Sequence, residues 1–258
     1  MLIFKRVNSV FLIVAVMAIA MIIFSNFPVW PLLVIIVLWF ILTALGSFNI
    51  QWNYFLPALH YNAKVTEKCI AVTFDDGPNP KITPKVLNVL DKFNARASFF
   101  CIGKQIKKYP DLAKKIITSG HTIGQHSFSH ANSFGFFSIN KVLDEINDTN
   151  QLTVRLLNKK LKLFRPPFGV TNPAIAKATK LSGLTVIGWN RRSYDTVTKS
   201  TEKIFKRITH NLQAGDIILL HDTNARCPKV LEQLLQFLYK NDFKLVTVDQ
   251  LLKIEPYE

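Results

Sequence analysis

The stretch Cys69-Ile70-Ala71-Val72-Thr73-Phe74-Asp75-Asp76-Gly77-Pro78 decides the fold. Its first six residues form an unbroken run of strand-forming side chains, which reads as a strand buried on both faces; an acidic pair and Gly-Pro then end it. Further runs of this kind follow at 97–102, 121–124, 161–164, 184–189, 216–220 and 243–248. Helical spacing fills the gaps at 82–93, 106–118, 138–157 (with Ser138 as its cap), 173–181, 201–212 and 228–239. Continuous apolar strands alternating with helices predict an α/β protein with a parallel sheet, in a number that suits a small, incomplete barrel.

Upstream the character changes. No charged residue occurs between Arg6 and Lys64. Val10–Phe24 is unbroken apolar sequence, and Val29–Leu45 is interrupted only by Pro31 and Thr43. Each approaches the length of a bilayer-crossing helix. Ser25, Asn26 and Pro28 read as the turn between them. The expectation is a two-helix membrane hairpin over residues 1–46, held in the lipid bilayer through 10–45, then a linker over 47–66 and a catalytic domain over 67–258. Ala18-Ile19-Ala20 also has the small-x-small form of a signal-peptide cleavage site, but that reading leaves the second run unexplained. Lys5 and Arg6 favour a cytoplasmic N-terminus, and two crossings would return the domain to the cytoplasm. A cleaved first run, or a pair entering from the other side, would place the domain outside a bacterial-type inner membrane.

The chain of 258 residues carries 32 Lys+Arg against 17 Asp+Glu, a formal charge of +15. Two basic and no acidic residues lie in the first 46, so the remainder keeps +13. Such a domain is drawn to anionic headgroups and anionic polymers. The basic residues are spread over many helices without a zinc-finger, helix-turn-helix or aromatic-basic pattern, so no nucleic acid partner is expected. At 49% hydrophobic residues the chain is not disordered, and three cysteines provide no disulfide framework.

In parallel α/β folds functional groups collect at the C-terminal ends of strands. Asp75 and Asp76 end the first strand, His126 and His130 follow the third, and Arg165 ends the fourth. Asp195 follows the fifth, and His221 with Asp222 ends the sixth. On a helix or helical turn, histidines four apart point the same way, and two imidazoles with one carboxylate suit catalytic Zn²⁺. The same set suits the facial triad of a ferrous oxygenase, and spacing does not separate the two. Of the adjacent acids, one can ligate an ion while the other accepts a proton from water.

Thr73-Phe74-Asp75-Asp76-Gly77-Pro78, His126-Ser127-Phe128-Ser129-His130, Arg165-Pro166-Pro167-Phe168-Gly169 and Leu219-Leu220-His221-Asp222 occur in that order. Together they resemble the polysaccharide deacetylase family, the nodulation-type chitooligosaccharide deacetylase domain of carbohydrate esterase family four, over about residues 69–252. The resemblance implies a distorted (β/α)7 barrel, with Asp75 as general base and Asp76, His126 and His130 as ligands of a divalent metal, Zn²⁺ foremost. It implies that Arg165 holds Asp75 ionised, that His221 is the general acid and that Asp195 orients and charges it. Leu219 would line the acetyl pocket, and the Phe168 N–H would stabilise the oxyanion. The family's usual Asp-Trp pair is Asp195-Thr196 here, so Trp189 or Tyr194 would supply the missing aromatic wall. The implied activity is a membrane-anchored hydrolase of carbon–nitrogen bonds other than peptide bonds. It would remove N-acetyl groups from N-acetylglucosamine units of a polysaccharide, peptidoglycan first. The alternatives are a chitin-type oligosaccharide, a lipid-linked sugar, or a non-catalytic glycan-binding membrane protein.

Overall fold

The computed structural model describes residues 3–25 and 27–258. Both apolar runs are helices, α1 (Ile3–Ser25) and α2 (Trp30–Phe48), long and apolar enough to cross a membrane. Only Ala18 and Gly46 are buried on them, the pattern of a helix apolar on all sides. They pack on each other, and Trp39 Nε1 donates to Asn8 Oδ1 at 2.8 Å. Asn26, assigned to the turn between them, lies outside the described residues.

The following stretch, 47–66, expected as a linker, is built into the domain. Ile50, Tyr54, Phe55 and Leu56 are buried, and β1 (Ala58–Leu59) joins the sheet beside a later strand. Gly46 makes this possible, because any Cβ there would collide with the Tyr54 ring.

From there β2 (Cys69–Asp75), α3 (Thr83–Lys92) and β3 (Ser98–Cys101) follow the expected alternation. The single helix expected over 106–118 is two, α4 (Gly103–Lys108) and α5 (Pro110–Thr118). Pro110 forces Tyr109 out of the helical region, to φ −131°, ψ 61°. Next come β4 (Thr122–Gln125), α6 (Ile139–Leu157) with Ser138 as its cap, β5 (Leu163–Phe164) and α7 (Pro173–Leu181). Then follow β6 (Thr185–Ile187), β7 (Arg191–Arg192), α8 (Thr201–Thr209), β8 (Ile217–His221), α9 (Cys227–Lys240), β9 (Lys244–Val246) and α10 (Val248–Leu252). The two-residue strands β1 and β7 carry too little pattern to be legible in sequence.

All named strands pair in parallel, in the order β1-β6-β5-β4-β3-β2-β8-β7, with β9 also on β2. The sheet is therefore a curled, open half-barrel. Alternation along β2 sends Ile70, Val72 and Phe74 into the apolar layer under α3 and α9, and Ala71 into the barrel interior with Phe100, Phe164 and Leu219. Thr73 and Asp75 share the interior face. Register does the rest: Asp75 pairs with His221, and Gln125 with Phe164, which sets His126 and Arg165 side by side.

Candidate active site

Asp75 is the last residue of β2 and is 3% exposed. Its Oδ1 accepts from Arg165 Nη1 at 2.7 Å. Arg165, wholly buried, also donates to Thr73 Oγ1 at 2.8 Å, the Ile187 carbonyl at 3.1 Å and the Gly188 carbonyl at 2.9 Å, and its guanidinium lies 4.1 Å from the Phe100 ring centroid. Burial pulls the guanidinium pKa down, and the Asp75 charge opposes that. The four hydrogen bonds fix the guanidinium against the Asp75 carboxylate, a charge-assisted pair.

Asp76, forced to φ 75°, turns its carboxylate away from the strand toward the two histidines. Its Oδ1 lies 3.5 Å from His126 Nε2 and 3.3 Å from His130 Nε2. The histidines are not on a helix: they flank an irregular loop in which Ser127 and His130 both have positive φ. The loop is held from outside. Glu145 Oε2 of α6 accepts the Phe128 and Ser129 N–H groups at 3.0 and 2.7 Å, and Oε1 accepts Ser129 Oγ at 2.8 Å. His126 Nδ1 donates to the Arg165 carbonyl at 2.7 Å, leaving Nε2 as a lone-pair donor. Burial holds this imidazole below its ordinary pKa, against the pull of Asp75 and Asp76.

These three donors fit a metal. Their atoms all lie within 4.8 Å of one another, and tetrahedral bonds of about 2.0–2.1 Å separate ligand atoms by about 3.3 Å. A neutral, oriented imidazole is the form a cation takes.

The other histidine has the opposite surroundings. His221 Nδ1 lies 2.8 Å from Asp195 Oδ1, and its backbone N–H donates to Asp195 Oδ2 at 2.9 Å. Burial works against its charge, but the Asp195 hydrogen bond and the charges of Asp195, Asp75 and Asp76 push it up to about 9. Burial likewise works to raise Asp195, and His221 and Ser193 Oγ (2.9 Å) hold it below the usual carboxylate range. Asn224 Nδ2 and Arg226 Nη2 fasten the Asp195 carbonyl. Below, Asp222 accepts from Thr83 Oγ1, and burial raises its carboxyl to about 7; a Cβ on Gly77 would strike it.

Asp75, Asp76, His126, His130, Arg165, Asp195 and His221 thus meet at one end of the sheet. Phe168, at φ 60°, sets its half-exposed ring 4.7 Å from that of His130. Leu219 is buried on the interior face, opposite Thr73. Trp189, expected as an aromatic wall, is only 6% exposed; it packs on Gly169 and lies 5.4 Å from the Arg165 guanidinium, so it backs the site rather than opening onto it. Thr196 is exposed. Sequence reading gave no role to Glu145, Thr73 or Ser193. Glu145 left a signal: it falls on the buried stripe of α6 with Val142, Ile146 and Thr149, where an unpaired carboxylate would be costly.

A parallel half-barrel with an acid–imidazole cluster and two buried ion pairs at its strand ends defines a hydrolase of the polysaccharide deacetylase type. The polysaccharide deacetylase family model matches residues 62–187. The peptidoglycan-N-acetylglucosamine deacetylase of Bacillus cereus is 37% identical over 192 residues, which cover 72% of this chain and 89% of that one. The peptidoglycan-N-acetylmuramic acid deacetylase of Bacillus subtilis is 30% identical over 189 residues, 73% of this chain but 40% of that longer one. The crystal structure of the Bc1960 peptidoglycan N-acetylglucosamine deacetylase, in complex with 4-naphthalen-1-yl-N-oxidanyl-benzamide, superposes with a TM-score of 0.72 at 26% identity, over 77% of this chain and 94% of that one. The chain belongs to the polysaccharide deacetylase family and is a polysaccharide deacetylase.

Proposed function

We propose that this enzyme is a membrane-anchored, metal-dependent N-deacetylase of N-acetylglucosamine units in a peptidoglycan-type glycan. The observation that carries the reading is a His126–His130–Asp76 donor set beside an arginine-paired carboxylate, Asp75, and a carboxylate-paired imidazole, His221, inside one cleft. The substrate is supported by the activities for which the relatives are named, and the anchor by α1 and α2, with the hairpin over 1–46 and the catalytic domain over 67–258 taking in the 47–66 stretch packed into it.

Asp76, His126 and His130 would hold the metal, with Zn²⁺ favoured by two imidazoles and one carboxylate. When bound, it supplies Lewis-acid polarisation of the acetyl carbonyl and acidifies the water beside it. Asp75 takes the proton of the attacking water, and Arg165 orients that carboxylate through its 2.7 Å contact. The Phe168 N–H steadies the oxygen that gains charge. His221, charged by Asp195, delivers a proton to the sugar nitrogen as the carbon–nitrogen bond breaks. Water is consumed, and acetate and a free amino sugar leave.

The test is acetate release by the detergent-solubilised full chain from peptidoglycan and from chitin oligomers, with chelator and with restored Zn²⁺. Release from peptidoglycan that chelator stops and Zn²⁺ restores is expected. Chelator-insensitive release would overturn the metal's part, and release from chitin alone would overturn the substrate.

A further inference from the structure

The hairpin does not hang loosely from the barrel. Thr171, three residues beyond Phe168, donates its N–H to the Ser47 carbonyl at 2.9 Å, and Ser47 Oγ donates to the Thr171 carbonyl at 2.7 Å. Ile50 lies against Gly188, where an added Cβ would come within 3.4 Å of it. The end of α2 is therefore docked on the loops that flank the catalytic cleft.

A groove of about 310 Å³ opens at this junction. From the hairpin side it is lined by Leu45, Phe48 and Trp52, and from the barrel side by Trp189, Arg192 and Tyr194. Leu45 and Phe48 are exposed and continue the lipid-facing surface of α2. Trp189 is shared with the cleft, because its other contacts are Gly169 and Arg165. The groove and the cleft thus lie on either side of one indole, and β7 carries Arg192 beside Leu219 of the cleft wall.

Arg192 of the groove wall is charged, and Arg207 joins it through the Tyr194 ring that both approach. The Tyr194 ring has Arg192 at 4.8 Å and Arg207 at 4.9 Å. Among the described residues, the arginine ion pairs are those of Arg165 and Arg191, so these two exposed guanidiniums have no carboxylate partner. Unpaired guanidiniums beside an apolar groove suit a molecule that is phosphate at one point and hydrocarbon beyond it.

Sidedness agrees. Phe4 N–H donates to the Tyr54 carbonyl at 3.0 Å, so Lys5 and Arg6 stand on the catalytic domain's side of the hairpin. The positive-inside bias makes that side cytoplasmic. Finished wall polymer lies beyond the membrane, whereas a glycan carried on a membrane lipid is within reach.

We infer that the deacetylation site takes a glycan joined through phosphate to a membrane-embedded hydrocarbon chain, with the phosphate at Arg192 and Arg207 and the start of the chain against Phe48 and Trp52. The inference rests on the deacetylase reading above and leaves its bond changes as they are.

The full chain in phosphatidylcholine vesicles is given three probes: N-acetylglucosamine linked through phosphate to farnesol, farnesyl N-acetylglucosaminide without phosphate, and chitotetraose. The phosphate-linked probe is expected to show a kcat/KM about 10-fold or more above the other two, since charge-assisted bonds to phosphate are the stronger kind. The double variant Arg192→Gln/Arg207→Gln should cut that preference by about 10-fold or more, with an unchanged thermal melt. Equal kcat/KM for all three probes, or an intact preference in the double variant, would overturn the inference. So would a variant that loses binding to phosphatidylglycerol vesicles yet keeps the preference, which would mark the arginines as a headgroup contact. Acetate from chitotetraose alone overturns this inference and leaves the deacetylase reading standing. Acetate from no probe overturns both.

Discussion

His126 and His221 sit at the ends of two strands facing one cleft, and each is fixed through Nδ1, yet one is favoured neutral and the other charged. His126 gives its Nδ1 proton to a backbone carbonyl and is buried, so the neutral ring is favoured and Nε2 is free to bind a cation. His221 meets a carboxylate instead, and the ring is favoured as imidazolium up to a pH of about 9. The difference lies in one acceptor: a carbonyl orients an imidazole, and a carboxylate also charges it. The same logic separates the carboxylates, since Asp75 faces a permanent cation and Asp195 a titrating one.

Removing the neutral histidine should have the largest effect. His126→Ala is expected to abolish metal binding and to lower turnover by on the order of 10³-fold or more, since Lewis-acid assistance is worth several kcal/mol. Metal content and acetate release measured on the same sample check this, and a fully active variant with normal metal content contradicts it.

Next is the charging partner. Asp195→Asn should cost on the order of 10²–10⁴ in kcat, the usual worth of a general acid, while leaving metal content at the wild-type level. The pH profile carries the sign. His221 acts while protonated, so wild-type activity falls as pH rises through about 9. In the variant that limb moves toward the ordinary histidine value of about 6.5. Stability follows the same window: a histidine with a raised pKa contributes fully below about 6.5 and loses its contribution as pH climbs toward the folded value. An alkaline limb that does not move would break the comparison.

The smallest effect sharpens the neutral side. Glu145 touches no reacting group; it positions the loop that carries His130. Glu145→Ala should weaken metal affinity by about 10–100-fold, with kcat recovered at saturating metal, and Glu145→Gln should lie between that variant and wild type. Competition with a chromogenic chelator reads this out, and an unchanged affinity in the alanine variant would remove Glu145 from the site.

The apolar strands, the helices between them and the chemistry-bearing residues at the strand ends were legible because each is encoded within a few consecutive positions. Ala71, Val72 and Phe74 announce a buried strand, and Asp75 and Asp76 announce where it stops. The helix broken at Tyr109 was legible in principle, because Pro110 restricts its neighbour wherever it occurs. Two-residue strands such as β7 were not, since nothing local distinguishes them from loop. Glu145 was hidden for a different reason: its partners, Phe128 and Ser129, lie 17 and 16 residues away.

Sequence by itself determined that a basic parallel α/β domain follows two membrane-length apolar runs, and which acids and imidazoles stand at its strand ends. Tertiary structure alone decided what each of those groups became. The β2–β8 register faces Asp75 with His221, the fold brings a carbonyl to one imidazole and a carboxylate to the other, and the Ser47–Thr171 contacts seat the hairpin beside the cleft. The physical reason is that hydrophobic patterning is local along the chain, whereas protonation state depends on the nearest charge in space, whichever element carries it.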